Sequence, residues 1–191
     1  QTRRGAHELL EGNAGEARRL LQQAVALFTR LGIKREEAWA REELGEACFL
    51  LGEWDLALHH YEIAEQLFTE VGETLGLKLL AHHRGHIARA EGRFAAAEQL
   101  YAESLQYFYG EKHDRMIARN VAGLGLVAEG NGQPSRAAVL LNSALSLFAR
   151  LPVFLPPQEM ALYEEAAERL SGHQGRSAAP QSVDALVALA L

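Results

Sequence analysis

The sequence predicts an all-α fold, a solenoid of four helical hairpins followed by a C-terminal capping helix, and three observations carry that expectation. Landmark residues recur every 40 positions: Gly12, Gly52, Gly92 and Gly132 form one column, Gly5, Gly45, Gly85 and Gly125 a second, Ala17, Ala57, Ala97 and Ala137 a third, and Phe28, Phe68, Phe108 and Phe148 a fourth. Four of the seven phenylalanines keep this register, which chance hardly delivers. Apolar residues follow helical spacing throughout, while the alternating Val/Ile/Thr-rich runs that strands need are missing. A fixed period of this kind marks stacked, equivalent hairpins rather than one globular centre.

Each repeat reads as a first helix, a glycine turn and a longer second helix. The turns are EGNAG at Glu11 to Gly15, LGEWD at Leu51 to Asp55, EGRFA at Glu91 to Ala95 and NGQPS at Asn131 to Ser135. Glycine closes a helix there at low steric cost, with Asn13, Asp55 and Ser135 as expected local caps. The first repeat keeps only the end of its first helix, Gln1 to Glu11, before a second helix from Gly15 to Leu31. Repeat two has helices near Arg35 to Leu51 and Trp54 to Val71, repeat three near Leu75 to Glu91 and Phe94 to Tyr109, repeat four near Arg115 to Gly130 and Pro134 to Leu151. Gly45, Gly85 and Gly125 fall in helix interiors, where glycine costs roughly 1 kcal/mol relative to alanine, so a steric reason must hold them. Leu21, Tyr61, Tyr101 and Leu141 lie on the buried stripe of the second helices, and the phenylalanine column closes the joint between repeats.

The rhythm breaks at PVFLPP, because proline cannot continue a helix. Gln158 to Leu170 then forms an amphipathic helix with Met160, Tyr163, Ala167 and Leu170 on one face, expected to cover the last repeat. SGHQGRSAAP reads as a linker, and Ser182 caps a short apolar helix, Val183 to Leu191, that should fold back or find a partner. The expected organisation is therefore repeats over 1–152, a capping helix over 153–172, and a linker with a short helix over 173–191.

Composition narrows the function. Hydrophobic residues make up 48% and charged residues 23%, with a net charge of −6, so the balance makes no case for nucleic acid or an anionic membrane surface. The apolar runs fall far short of the roughly 20 residues of a spanning helix. A single cysteine, Cys48, cannot form an internal disulfide, which agrees with a cytoplasmic location. The chain lacks an initiating methionine and starts part-way through a helix, and is expected to be a piece of something longer.

The columns resemble the tetratricopeptide repeat. Leu44, Gly45, Gly52, Trp54, Ala57, Tyr61 and Ala64 match its landmarks, and Leu124, Gly125, Gly132, Ala137 and Ala144 match them again in the fourth repeat. Arg4, Arg84, Pro134 and Glu8 depart from it. The 40-residue period, against the usual one of about 34, is similar to the longer-helix subclass of scaffold adaptors and bacterial regulators. The resemblance implies a right-handed α-solenoid with a concave groove lined by the first helices, and a role in binding proteins or peptides. The segment from Leu140, with SVDALVALAL, is also similar to the C-terminal end of bacterial ATPase-type transcription regulators.

Carrying the groove offsets across places Glu42 and Glu46 in one repeat and His82 and His86 in the next. Residues four apart share a helix face, so ExxxE faces HxxxH. Two readings stand: a two-His, two-carboxylate metal site, or a ladder in which each carboxylate favours a protonated imidazole. The same offsets place Trp39, Leu79 and Arg119 at one groove edge and Phe49 and Arg89 at the other, with Glu43 and His83 nearby. A peptide with an apolar anchor and a basic group for Glu42, Glu43 and Glu46 would fit. The alternative is that Trp39 and Phe49 pack against neighbouring helices. His83, and the pair His59 and His60 on a second helix, read as solvated polar residues. The carboxylate clamp of Lys, Asn and Arg known in the family is missing, which disfavours an acidic chaperone tail as ligand.

No catalytic arrangement is visible: Cys48 lies at a buried motif position, and GLG at Gly123 to Gly125 lies inside a predicted helix. The expectation is a non-enzymatic protein- or peptide-binding module that needs no cofactor, binds neither nucleic acid nor membrane, and sits in a bacterial cytoplasmic regulator. The alternative is a small-ligand or metal sensor built on the His/Glu cluster. The truncated first repeat leaves an apolar end through which a homodimer can form.

Overall fold

The computed structural model describes residues 2–151, 155–173 and 182–191. The start of the proline break, 152–154, and most of the expected linker, 174–181, lie outside the described residues. The described chain is all-α, as the sequence predicts. Its helices are α1 (Thr2–Leu10), α2 (Ala14–Leu31), α3 (Lys34–Leu50), α4 (Trp54–Val71), α5 (Thr74–Ala90), α6 (Phe94–Gly110), α7 (Asp114–Gly130), α8 (Pro134–Phe148), α9 (Pro157–Arg169) and α10 (Val183–Ala190). Most ends fall within a residue of the sequence expectation, and α8 stops at Phe148, short of Leu151.

The residues form two compact units, Gln1–Arg84 with Leu155–Gln158, and Gly85–Phe154 with Glu159–Leu191. In the first, α2 packs on α1 and on α3, and α3 on α4; in the second, α7 packs on α6 and on α8. Sequential neighbour packing is the pattern of a helical repeat.

The interior glycine column has one steric cause in both units. A Cβ at Gly5 would lie 2.6 Å from the Leu21 side chain, one at Gly85 2.8 Å from the Tyr101 ring, and one at Gly125 2.8 Å from Leu141. At Gly45 it would overlap the ring of Tyr61. Each first helix thus loses its side chain where the second helix inserts a large one sixteen residues later, and Tyr61 and Tyr101 are fully buried as a result. Phe68 repeats the device across the joint to the following helix, where a Cβ at Gly76 would come within 2.6 Å of its ring.

The turn column works by conformation. Gly12, Gly52, Gly92 and Gly132 all have φ between 71° and 80°, the left-handed region that glycine enters at least cost. The chain then closes each helix with a 6→1 bond, as in Glu53 N to Cys48 O at 2.9 Å and Arg93 N to Ala88 O at 2.8 Å. The expected polar caps are not made: Asn13 donates to Glu8 instead, and the N-cap positions of α4 and α8 fall on Glu53 and Gln133 rather than Asp55 and Ser135. The turn glycine ends one helix so tightly that the next begins earlier than the capping pattern suggests.

The apolar tail folds back. α10 packs on α6, α7 and α8 with Leu186, Val187 and Ala190 buried. Ser182 accepts from Ala185 N, Tyr109 donates to Asp184 at 2.7 Å, and Arg136 donates to the Ala190 carbonyl at 3.1 Å. No described helix is long and apolar enough to cross a membrane.

Candidate functional site

In the first unit the expected groove residues of α3 gather as an acidic cluster. Glu42 and Glu46 sit one turn apart with Glu43 between them, because i and i+4 share a face. Glu42 is buried, and its Oε1 lies 2.7 Å from Nε2 of the buried His83 on α5. His83 in turn stacks on the Tyr61 ring at 5.6 Å and meets the edge of His82 at 5.5 Å. Glu43 differs from its neighbours: its Oε2 is buried and has no hydrogen-bond partner among the described residues. Burial first, then the like charges of Glu42 and Glu46, push its carboxyl up to about 9. The cluster therefore holds Glu43 protonated at neutral pH, where an added cation would let it ionise.

One donor atom each from Glu42, Glu46 and His83 lies within 4.8 Å of the others. That trio differs from the expected ligand set in its histidine, because His83 rather than His82 turns its imidazole toward the carboxylates. His82 is fully buried.

The second unit holds a different constellation. Arg119 on α7 clasps Glu159 of α9 through two bonds, Nε to Oε1 at 2.9 Å and Nη2 to Oε2 at 2.7 Å. Tyr163, one helical turn along α9, donates to the same Oε1 at 2.6 Å. His86 brings Nε2 to 3.7 Å from that oxygen, and its Nδ1 lies 3.0 Å from the Tyr101 hydroxyl. The consistent proton placement has Tyr101 donating to Nδ1 and the Nε2–H facing the carboxylate. Burial pushes the phenols of Tyr101 and Tyr163 up, and in Tyr101 the charge of Arg89 opposes the rise. Beside this network Asn120 donates to Ser104 Oγ at 3.0 Å and to the Met116 carbonyl at 2.8 Å. All these groups are buried or nearly so, and the chemistry they can perform is recognition of a carboxylate by a guanidinium and a phenol.

The groove expectation needs correction on exposure. Glu42, His82, His83, His86 and Arg119 are buried, whereas Trp39, Glu43, Glu46, Phe49, Leu79 and Arg89 are half-buried. For Arg119 and His86 the reason is Glu159, which the amphipathic pattern does not mark. That pattern puts Met160 on the buried face of α9, yet Glu159 is the buried one and Met160 only half so. A signal existed: Glu159 stands one turn before Tyr163, and such a pair can satisfy itself inside a core. Trp39 meets the Phe68 ring edge-on at 4.8 Å, in line with the packing alternative.

Comparison with known proteins agrees with the N-terminal part of this picture. A family model described as tetratricopeptide repeat matches residues 1–70. The match supports tetratricopeptide repeats in that segment, which spans α1 to nearly the end of α4. No curated protein and no solved structure matches the chain. Tetratricopeptide repeats generally mediate protein–protein interaction, through surfaces that stacked helices hold in place.

Proposed function

We propose that the chain is a protein- or peptide-binding module whose first unit receives a basic side chain of its partner at Glu42, Glu43 and Glu46. The observation that carries this reading is Glu43 Oε2, a buried carboxyl oxygen without a partner among the described residues, in a group kept protonated first by burial and then by its acidic neighbours. A lysine or arginine there would supply the missing hydrogen bond and relieve the repulsion. Trp39 and Phe49 on the same helix offer apolar contact to flanking residues. Such a module would serve a larger cytoplasmic bacterial regulator, a reading that the likeness of its C-terminal segment to regulator ends supports.

The test is calorimetry with Arg- and Lys-containing peptides against the same peptides carrying Gln, in two buffers of different ionisation enthalpy. Because Glu43 ionises as the cation arrives, binding at pH 7 should release a proton, and the heat should depend on the buffer. Basic peptides that give no heat, or a buffer-independent heat unchanged in Glu43→Gln, would end the proposal.

A second reading, a metal or small-ligand sensor, is favoured by the Glu42, Glu46 and His83 trio, whose donors suit a divalent ion such as zinc. Zinc retained in equilibrium dialysis and lost in His83→Ala assigns the cluster to metal. Peptide heat without zinc retention assigns it to the partner.

A further inference from the structure

A second cleft in the first unit has the opposite electrostatic character and shares no residue with the acidic cluster. It lies where α2, α3 and α4 meet and has a volume of about 650 Å³, within the size range of small-ligand pockets. Its apolar wall comes from Val25 and Ala26 on α2, Leu44 on α3 and Leu56 on α4. Its polar rim carries the guanidinium groups of Arg30 and Arg41 beside His59 and His60, with no carboxylate among the described lining residues. In a chain of net charge −6 this is a local inversion.

Two of these groups lack the partners that a purely structural role would give them. Arg30 is exposed and makes no ion pair among the described residues. Nδ1 of His60 is buried and meets no hydrogen-bond partner among them. Arg41 is oriented from behind by Glu37, whose Oε1 accepts from Nε and Nη2 at 2.7 Å, so its guanidinium is held in place at the cleft. Leu56 is exposed on the cleft's other side, an apolar surface without cover.

We propose that this cleft binds a carboxylate carried on a compact apolar group, such as a short-chain alkyl acid, with the carboxylate against Arg30 and Arg41 beside His60 and the tail against Val25, Ala26 and Leu56. A fork of guanidinium donors suits a carboxylate, and the apolar wall explains why a bare anion would use only half the site. Burial, then the charges of Arg41 and His59, push His60 down to about 4. It is therefore neutral at pH 7, and a bound anion would raise its affinity for a proton. The groups that face it are Arg30 from α2, Arg41 with its partner Glu37 from α3, and His59 from its own helix.

The probe is sodium octanoate, with octylammonium chloride as the control of the same carbon count and opposite charge, titrated by calorimetry and followed by the ring nitrogens of His60 in NMR. Octanoate should bind, shift the His60 resonances and bind more tightly as pH falls from 7 to 5. Octylammonium should not bind. Arg30→Gln, at an exposed position that folding does not need, should weaken octanoate roughly tenfold, as loss of a charged hydrogen bond does. A short peptide ending in leucine offers the same carboxylate on a chain end. The tighter of peptide and octanoate identifies the source, and either supports a carboxylate site. Equal binding of octanoate and octylammonium, or octanoate binding that leaves His60 unmoved and survives Arg30→Gln unchanged, would overturn it.

Discussion

The two units solve the same burial problem in opposite ways. In the second, the buried Glu159 is matched by Arg119, Tyr163 and His86, all supplied by the chain itself. In the first, Glu42 has His83, but Glu43, buried and beside the like charges of Glu42 and Glu46, answers by keeping its proton. A buried ion must find a counter-charge or lose its charge. The difference teaches where binding capacity lies: the second unit's recognition chemistry is already used by α9, whereas in the first unit one oxygen of Glu43 meets no hydrogen-bond partner among the described residues.

The largest effect should come from unmatching the second unit. Arg119→Met strands Glu159 in the interior and should cost about 3–5 kcal/mol in urea unfolding, as loss of one member of a buried pair does. Arg119→Met with Glu159→Met should recover much of that loss. A single variant costing under about 1 kcal/mol would mean that the pair is not buried in solution, and the contrast between units would collapse.

Glu43→Gln sharpens the other side. Below about pH 4 both folded and unfolded Glu43 are protonated, so the raised carboxyl costs nothing. Between the unfolded value and about 9 the unfolded chain ionises while the folded one does not, so stability falls as pH rises. The Gln variant cannot ionise and should therefore be more stable than the parent, by roughly 1–3 kcal/mol at pH 8 and little at pH 5. Equal thermal midpoints for the two proteins at pH 8 would show Glu43 to be solvated.

The smallest contrast tests what the units share. Gly45→Ala and Gly85→Ala each drive a methyl into a buried tyrosine ring and should cost about 1–3 kcal/mol by overpacking, to a similar degree in both units. Gly15→Ala, with open space around its Cβ, should instead gain up to about 1 kcal/mol from helix propensity. A large cost in one unit alone would break the equivalence of the repeats.

Much of the fold was legible because repetition turns a weak local signal into a strong one. Gly5, Gly45, Gly85 and Gly125 announce by position alone that a backbone must come close, and their partners sixteen residues on are the residues that fill the space. The glycine turns likewise declare their conformation. The capping pattern fails at Asp55 and Ser135 because the closing bond of each turn sets where the next helix starts, and at Asn13, which does hold the N-cap position, because its amide donates to Glu8. The site was less legible. The i,i+4 spacing put Glu42 and Glu46 on one face, yet it could not say that His83 rather than His82 meets them, since neighbouring positions on α5 differ by about 100° of rotation.

By itself the sequence determined the helices, their order and the steric lock within each hairpin, all of which depend on residues close along the chain. Only the tertiary structure decided which charges are buried and what answers them. Glu159 reaches Arg119 across 40 positions, and Oε2 of Glu43 is buried without a hydrogen-bond partner among the described residues, because burial and its electrostatic cost are properties of the packed chain and not of any local pattern.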